Sequence, residues 1–441
     1  MTLSAKYTTW IILLIVVGLM LCIMSLEKTP VAYPQFRRFK SYHVAVDHFS
    51  PTLHNVAVPM HRIFLNKKHN GIKEHVLLTK TSSDLNTGVL DWKKQMTSKT
   101  YKGIHILATG RSGSSFLGQI LANSGRVFYM FEPGRLLDKY GNRPNIQNSY
   151  EQLHRYVNMI TSMYHCRFEN MEVYLNALMK LSYENQIDQI PELAGLGLDV
   201  CNTKKHAGRS HNGCSPITSE LMTKICKNKE FIVIKTIRIS DIMNLTQLVN
   251  DNEVDFKIIH LIRDPRGMIL SKLKAWFIDV KTKMKVEHRH VFDVQDLSPG
   301  MYSALDHWCK VWIKDASIGQ QMVSKYMTVR YEDISMMPLM STREIYDKLG
   351  LGEVSEHVVN WLNEHTRESR GDEYSVSRNS KLNAEKWRRD MTYMLAKRIQ
   401  ELEKCGKFLD RFGYIKVKRP QDLTNASLSF SGKKYQHNEY N

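Results

Sequence analysis

The chain has 441 residues, enough to bury a substantial core, and its 42% hydrophobic and 24% charged content is ordinary for a globular protein. Lys and Arg total 62 against 44 Asp and Glu, a formal charge of +18 that narrows the partners to anionic ones. Nucleic acid, acidic lipid, a phosphorylated cofactor and an acidic glycan all remain open on charge alone.

The first element is apolar. It runs from Trp10 to Leu26 with Gly18, Cys22 and Ser25 as soft interruptions, and Thr8 and Thr9 lengthen it to 19 residues. A bilayer span needs about 20. A cleaved signal peptide has a shorter apolar region, about 7–15 residues, and a small-x-small site, and no convincing site follows Met24. The spacing therefore predicts an uncleaved anchor over 8–26, with 1–7 as a short tail. Flanking charge does not set its orientation: Lys6 precedes it, whereas Lys28, Arg37, Arg38 and Lys40 follow. Two glycosylation sequons lie beyond the anchor, Asn244-Leu245-Thr246 and Asn425-Ala426-Ser427. So do Cys166, Cys201, Cys214, Cys226, Cys309 and Cys405, an even set that can pair in an oxidising lumen. Cys201, Cys214 and Cys226 fall in one short region at spacings that do not form a zinc pattern, and no metal is expected. The anchor and the lumen signals disfavour nucleic acid as a partner.

Residues 27–100 read as a stem, with Pro30, Pro34, Pro51 and Pro59 and no sustained apolar period. A compact domain is expected over 101–420 and a C-terminal tail over 421–441. Within the domain, Ile104–Ala108 reads as a buried strand, Phe116–Ala122 as a helix and Arg126–Phe131 as the next strand. Helical spacing covers 149–182, and the cysteine-bearing stretch 183–229 reads as an irregular surface insertion. Phe231–Ile234, Phe256–Ile262 and Tyr326–Tyr331 are further strands, and helices fill most of 341–369 and 384–407. Strands alternating with helices predict an α/β fold with a mostly parallel central sheet flanked by helices.

Two segments carry the chemistry. Thr109-Gly110-Arg111-Ser112-Gly113-Ser114-Ser115-Phe116 joins a strand to a helix. Small residues let backbone N–H groups wrap an anion at the helix start, Ser112, Ser114 and Ser115 add hydroxyls, and Arg111 adds fixed charge. The Gly-Lys pair of a nucleoside-triphosphate loop is absent, which argues against a kinase; a bare turn is the plainer alternative. Ile262-Arg263-Asp264-Pro265-Arg266-Gly267 through Ser271 repeats the strand-turn-helix design. Arg263 leaves the carboxyl end of its strand, where open α/β sheets bind ligands. With Ser271 it can hold a second phosphate; solvated surface arginines are the alternative. The lack of a D-x-D motif after a strand weakens a glycosyltransferase reading.

Jointly, the two segments resemble the 5′-phosphosulfate loop and the 3′-phosphate site of sulfotransferases that use 3′-phosphoadenosine 5′-phosphosulfate (PAPS). In particular the chain resembles the Golgi carbohydrate 6-O-sulfotransferases acting on galactose, N-acetylgalactosamine or N-acetylglucosamine. The likeness covers roughly 103–415 and extends to Val127–Pro133, Ile234–Arg238, Val329–Asp333, Arg378-Asn379-Ser380 and Ala384–Arg388. It implies a P-loop-like sulfotransferase fold behind one transmembrane helix and a stem, a single-pass type II protein of the Golgi membrane with a luminal catalytic domain. It also implies PAPS as co-substrate and a glycan acceptor, and it leaves a homodimer open. Arg111, Ser112, Gly113, Ser114, Ser115 and Phe116 would cradle the 5′ side, Arg263 and Ser271 the 3′-phosphate, and Arg378, Asn379 and Ser380 would close over the nucleotide. Glu132 is the candidate base; a structural carboxylate paired to Arg111 or Arg135 is its alternative. Arg111 would balance charge on the leaving oxygen, and Lys235 would contact the sulfo group or the acceptor, an ordinary strand-end lysine in solvent being its alternative. Trp387 is either a pocket wall or a buried structural residue, and Val329–Asp333 is scaffold. Acceptor preference is expected to be set by 183–229 and 280–300. A glycan-binding protein that has lost catalysis on the same scaffold is the non-enzymatic reading.

Overall fold

In the computed structural model, the described residues are 100–140, 149–184, 216–284, 291–322, 324–367 and 379–432. The expected tail, anchor and stem over 1–99 lie outside them, as do Arg378, Cys201 and Cys214. Among the described residues no helix is long and apolar enough to cross a membrane.

Five strands form one parallel sheet: β1 (Tyr101–Ala108), β2 (Val127–Phe131), β3 (Phe231–Thr236), β4 (Val254–Ile262) and β5 (Tyr326–Arg330), in the order β2-β3-β1-β4-β5. Sheets covered on both faces need strands that are apolar throughout, and β2 and β3 are buried at every position. β1 begins at Tyr101, earlier than the apolar run suggests, because Tyr101 and Lys102 pair with Val254 and Asp255 of β4.

Helices α1 (Ser114–Ala122), α2 (Pro133–Tyr140), α3 (Ser149–Tyr164), α4 (Glu172–Glu184) and α5 (Ser219–Asn228) lie between β1 and β3. α6 (Pro265–Met284) and α7 (Pro299–Gly319) link β4 to β5. Then come α8 (Tyr331–Met336), α9 (Pro338–Leu349), α10 (Glu356–Arg367), α11 (Ser380–Ala384), α12 (Trp387–Asp390), α13 (Tyr393–Gln400) and α14 (Glu403–Arg411). One face of the sheet packs Phe128, Met130, Ile232 and Ile234 against residues of α3 and α4 such as Tyr164 and Leu178. The other packs Ile104, Ile106 and Val233 against Leu117, Ile120 and Ile345. A third cluster joins α6, α7 and α12 to α14 around Trp312, Trp387 and Phe408. Gly118 sets how closely α1 approaches the sheet, since a Cβ there would lie 2.0 Å from the Tyr129 hydroxyl.

Two expectations need revision, one over 183–229 and one beyond residue 420. The end of the 183–229 stretch is helical: α5 is capped by the Thr218 side chain and buries Met222, Ile225 and Cys226. The pairing that the sequence leaves open is long-range: Cys226 bonds to Cys166, 60 residues away, and Cys309 to Cys405 across 96 residues. Loops of that size lower unfolded-chain entropy by the equivalent of about 4 kcal/mol per bridge. Helices do fill most of 384–407, as α12, α13 and part of α14, with Thr392 capping α13 through the Leu395 N–H. Packing also continues past residue 420. Leu423 and Phe430 are buried, Arg388 donates to the carbonyls of Asp422, Leu423 and Leu428, and Arg330 donates to that of Ser431.

Candidate active site

All five strands point the same way, so their carboxyl ends form one edge, and β1 is central there with β3 and β4 as neighbours. The segments following β1 and β4 are thereby side by side, as are those following β2 and β3.

The loop after β1 is a tight turn: the Thr109 carbonyl accepts from the Ser112 N–H (3.3 Å) and from the Ser112 hydroxyl (2.8 Å). Gly113 follows at φ 89° and precedes α1. A Cβ there would lie 2.1 Å from the Tyr331 ring, so both conformation and space require glycine. The Phe116 and Leu117 N–H groups donate back to the Gly113 carbonyl (3.0 and 3.2 Å), which leaves those of Ser114 and Ser115 at the start of α1 for an anion in this turn. Phe116 contributes differently from the expectation. Its side chain packs in the core and stacks on Trp361 at 6.1 Å, leaving only its backbone near the loop.

The segment after β4 meets this loop directly. Arg263 Nη1 donates to the Arg111 carbonyl (2.8 Å), and Arg111 Nε donates to Ser271 Oγ (3.0 Å). Arg263 lies 4.4 Å over the Tyr331 ring, whose hydroxyl accepts from Asn383 Nδ2 (2.6 Å). Tyr331, which sequence reasoning left as scaffold, therefore touches Gly113, Arg263 and the helix that begins at Ser380. Asn379 caps that helix through the Leu382 N–H (3.1 Å), and Ser380 Oγ donates to the Ser335 carbonyl (2.7 Å). Trp387 is buried between Arg266, 4.5 Å above its ring, and Phe430, which makes it structural rather than a pocket wall. Arg266 is itself spent on Asp264 and on the Ile415 carbonyl.

Among the described residues, the buried Arg263 Nε and Thr109 Oγ1 lack hydrogen-bond partners. Leaving a buried donor unpaired costs about 1–3 kcal/mol. With the arginines and serine hydroxyls at these two loops, the residues present fit a phosphorylated ligand.

A second cluster lies where β2 and β3 end. Phe131 pairs with Lys235, and the Glu132 N–H donates to the Lys235 carbonyl (2.8 Å). The Glu132 carboxylate is tied to Lys235 Nζ through Oε1 and to Arg238 Nη1 through Oε2 (2.9 Å). Among the described residues the partners of this carboxylate are Lys235 and Arg238, while the Arg135 N–H donates to the Glu132 carbonyl (2.8 Å). Arg238 also donates to Asp138 (2.5 Å), which the Tyr156 hydroxyl and Gln152 hold in turn. Burial by itself would raise the Glu132 carboxyl, but the Lys235 and Arg238 charges outweigh it and hold the group below the usual carboxylate range. Burial draws the Lys235 ammonium down, with Glu132 opposing. Arg111 (φ 68°) and Glu132 (φ 39°) are two of five non-glycine residues at positive φ among those described. Each such residue costs on the order of 1 kcal/mol, strain that rigid surroundings at a site can hold.

Other titratable groups are structural. His105 and His260 are buried neutral beside Tyr164 and Tyr326, each lowered to about 3, first by burial. Among the described residues no group of His, Cys, Asp and Glu is placed to hold a metal ion. Glu332 accepts from the Asp264 N–H (3.1 Å) and the Tyr414 hydroxyl (2.8 Å). Burial, then Asp264, pushes it from 4.5 up to about 7 against the pull of Arg263. The folded chain therefore binds this proton more tightly than the unfolded one. The group's stabilising contribution is full below pH 4.5 and lost as pH rises through about 7. Denaturant titrations at stepped pH should show wild type losing about 3 kcal/mol across that window relative to Glu332→Gln, at roughly 1.4 kcal/mol per pH unit. A constant difference between the two proteins would refute this.

A parallel sheet whose carboxyl edge gathers a Gly/Ser loop, arginines and a cation-paired carboxylate defines an α/β protein with a site whose chemistry fits a phosphorylated ligand. The sulfotransferase domain family matches residues 101–413, and the chain belongs to that family. It is similar to carbohydrate sulfotransferase 1 of Danio rerio, at 29% identity over 352 residues, covering 74% of this chain and 81% of that protein. Carbohydrate sulfotransferase 3 of Homo sapiens is 28% identical over 341 residues, covering 74% and 69%. Among solved structures, the sulfotransferase domain from the curacin biosynthetic pathway covers 73% of this chain and 100% of that one, at TM-score 0.39 and 14% identity. Retinol dehydratase in complex with androsterone and inactive cofactor PAP gives a TM-score of 0.34 at 17% identity, covering 72% and 83%.

Proposed function

We propose that this protein transfers a sulfo group from PAPS to the 6-hydroxyl of a galactose, N-acetylgalactosamine or N-acetylglucosamine in a glycosaminoglycan or glycoprotein glycan. The observation that carries the reading is the junction of the two loops, where Arg263 and Arg111 converge and the buried Arg263 Nε has no partner among the described residues. The carbohydrate sulfotransferases it is similar to supply the sugar acceptor.

The donor supplies a sulfo group on a phosphate leaving group, and one sulfur–oxygen bond is exchanged for another. Residues 109–115 would hold its 5′ side and Arg263 with Ser271 its 3′-phosphate. Arg378, Asn379 and Ser380 would close over the nucleotide. A sugar hydroxyl is a poor nucleophile near neutral pH, and Glu132, ionised under its two cations, would accept its proton. Lys235 and Arg111 would balance charge on the sulfo and leaving oxygens. Two disulfides suit an oxidising compartment, which agrees with a Golgi-membrane type II protein anchored over 8–26 with its catalytic domain luminal.

The test uses the full-length protein in detergent with labelled PAPS and a panel of desulfated chondroitin, keratan and N-acetylglucosamine-terminated acceptors. Label at the 6-position of one sugar is expected. Label at another hydroxyl would overturn the 6-O assignment, and label on no sugar would overturn the acceptor class.

A further inference from the structure

Lys272 follows Ser271 on α6 and was not singled out by the sequence. Its half-buried side chain brings Nζ to 3.8 Å from the centre of the Trp308 ring and to 3.9 Å from where a Gly110 Cβ would be. Among the described residues no carboxylate pairs with it, and the charge that acts on it is the like charge of Arg111. Burial, then Arg111, draws its ammonium down to about 8. Lys272 therefore carries its charge beside a like charge with no carboxylate partner among the described residues, and Trp308 offers only a weak, cation–π compensation. Such an arrangement is relieved when an anion enters.

The position of that anion follows from the loop. Arg111 has its Nε committed to Ser271, on the side of Arg263, and its carbonyl committed to Arg263 itself. The face of the turn at Gly110 is instead bordered by Lys272 and Ile237. Gly110 has no side chain, so a ligand oxygen can approach that face closely.

We propose that Lys272, held by Trp308, is a donor-contacting catalytic residue: its ammonium binds the 5′-phosphosulfate at the Gly110 face and balances charge on the leaving phosphate oxygen. The proposal deepens the sulfo-transfer reading and rests on it. Lys272 and Arg263 would then divide the nucleotide, one serving the 5′ side and the other the 3′-phosphate.

The experiment measures binding of adenosine 3′,5′-bisphosphate and adenosine 5′-monophosphate to the full chain, for wild type, Lys272→Met and Lys272→Arg, together with kcat for transfer. Lys272→Met should weaken both nucleotides by the same factor, about 10- to 100-fold, as for other lost charge-assisted hydrogen bonds. It should also lower kcat, and Lys272→Arg should restore most of the affinity. Loss confined to the 3′-phosphorylated nucleotide would place Lys272 at the other phosphate and overturn the proposal, as would unchanged affinity in a folded variant. If wild type binds neither nucleotide, the donor reading itself falls and this one with it. Thermal melts of each variant separate misfolding from lost binding: a folded Lys272→Arg that is as weak as Lys272→Met also counts against the proposal.

Discussion

Glu132→Gln should cut kcat for sulfo transfer by about 10²- to 10⁴-fold, the usual worth of a positioned general base. Nucleotide affinity should change little, because Glu132 sits with Lys235 and Arg238 at the ends of β2 and β3, not at the junction of Arg111, Arg263 and Ser271. The amide keeps one oxygen for Arg238 but removes the charge that both cations share. Lys235 and Arg238 would then face each other across a neutral group, so the variant should also lose stability, by about 3–5 kcal/mol where a buried ion pair is broken from one side. Steady-state kinetics with a denaturation curve separates the two effects. If Glu132→Gln folds, binds nucleotide and keeps wild-type kcat, Glu132 is a structural carboxylate and the base lies elsewhere.

Arg263→Ala should weaken adenosine 3′,5′-bisphosphate by about 10- to 100-fold and leave adenosine 5′-monophosphate nearly unaffected. Arg263 is buried, stands over Tyr331 and braces the Arg111 carbonyl, and its Nε has no partner among the described residues. The 3′-phosphate contact is the larger loss expected, and the bond to the Arg111 carbonyl raises the question whether the 5′ loop loosens as well. The mononucleotide therefore serves as the control: equal loss of both nucleotides would show that Arg263 shapes the loop rather than reads the 3′-phosphate.

Much of the scaffold was legible because its physics is local. Apolar runs marked all five strands, and a glycine between a strand end and a helix start marked the turn at Gly113, where backbone and space both exclude a Cβ. Residue types and spacing also found the loops that meet at Arg111, Ser271 and Arg263. What stayed hidden depends on side-chain direction and on strand order. Neighbours on a helix point about 100° apart, so nothing in Ser271-Lys272 says which of the two faces the loop. Glu132 could be placed at a strand end, but its partners follow from β2 lying beside β3, which no short-range pattern encodes. Phe116 and Trp387 look alike in sequence as apolar residues next to functional motifs, and only packing against Trp361 and Arg266 assigns both to the interior. The pairing of Cys166 with Cys226 is a long-range contact for the same reason.

The most direct test of the central claim is whether the purified full-length protein moves label from PAPS to a desulfated glycosaminoglycan, with Glu132→Gln and Arg263→Ala measured beside it. The account predicts labelled polymer from wild type, very little from Glu132→Gln, and transfer by Arg263→Ala that recovers as donor concentration is raised. A folded wild-type protein that neither transfers the label nor binds the nucleotide would contradict it.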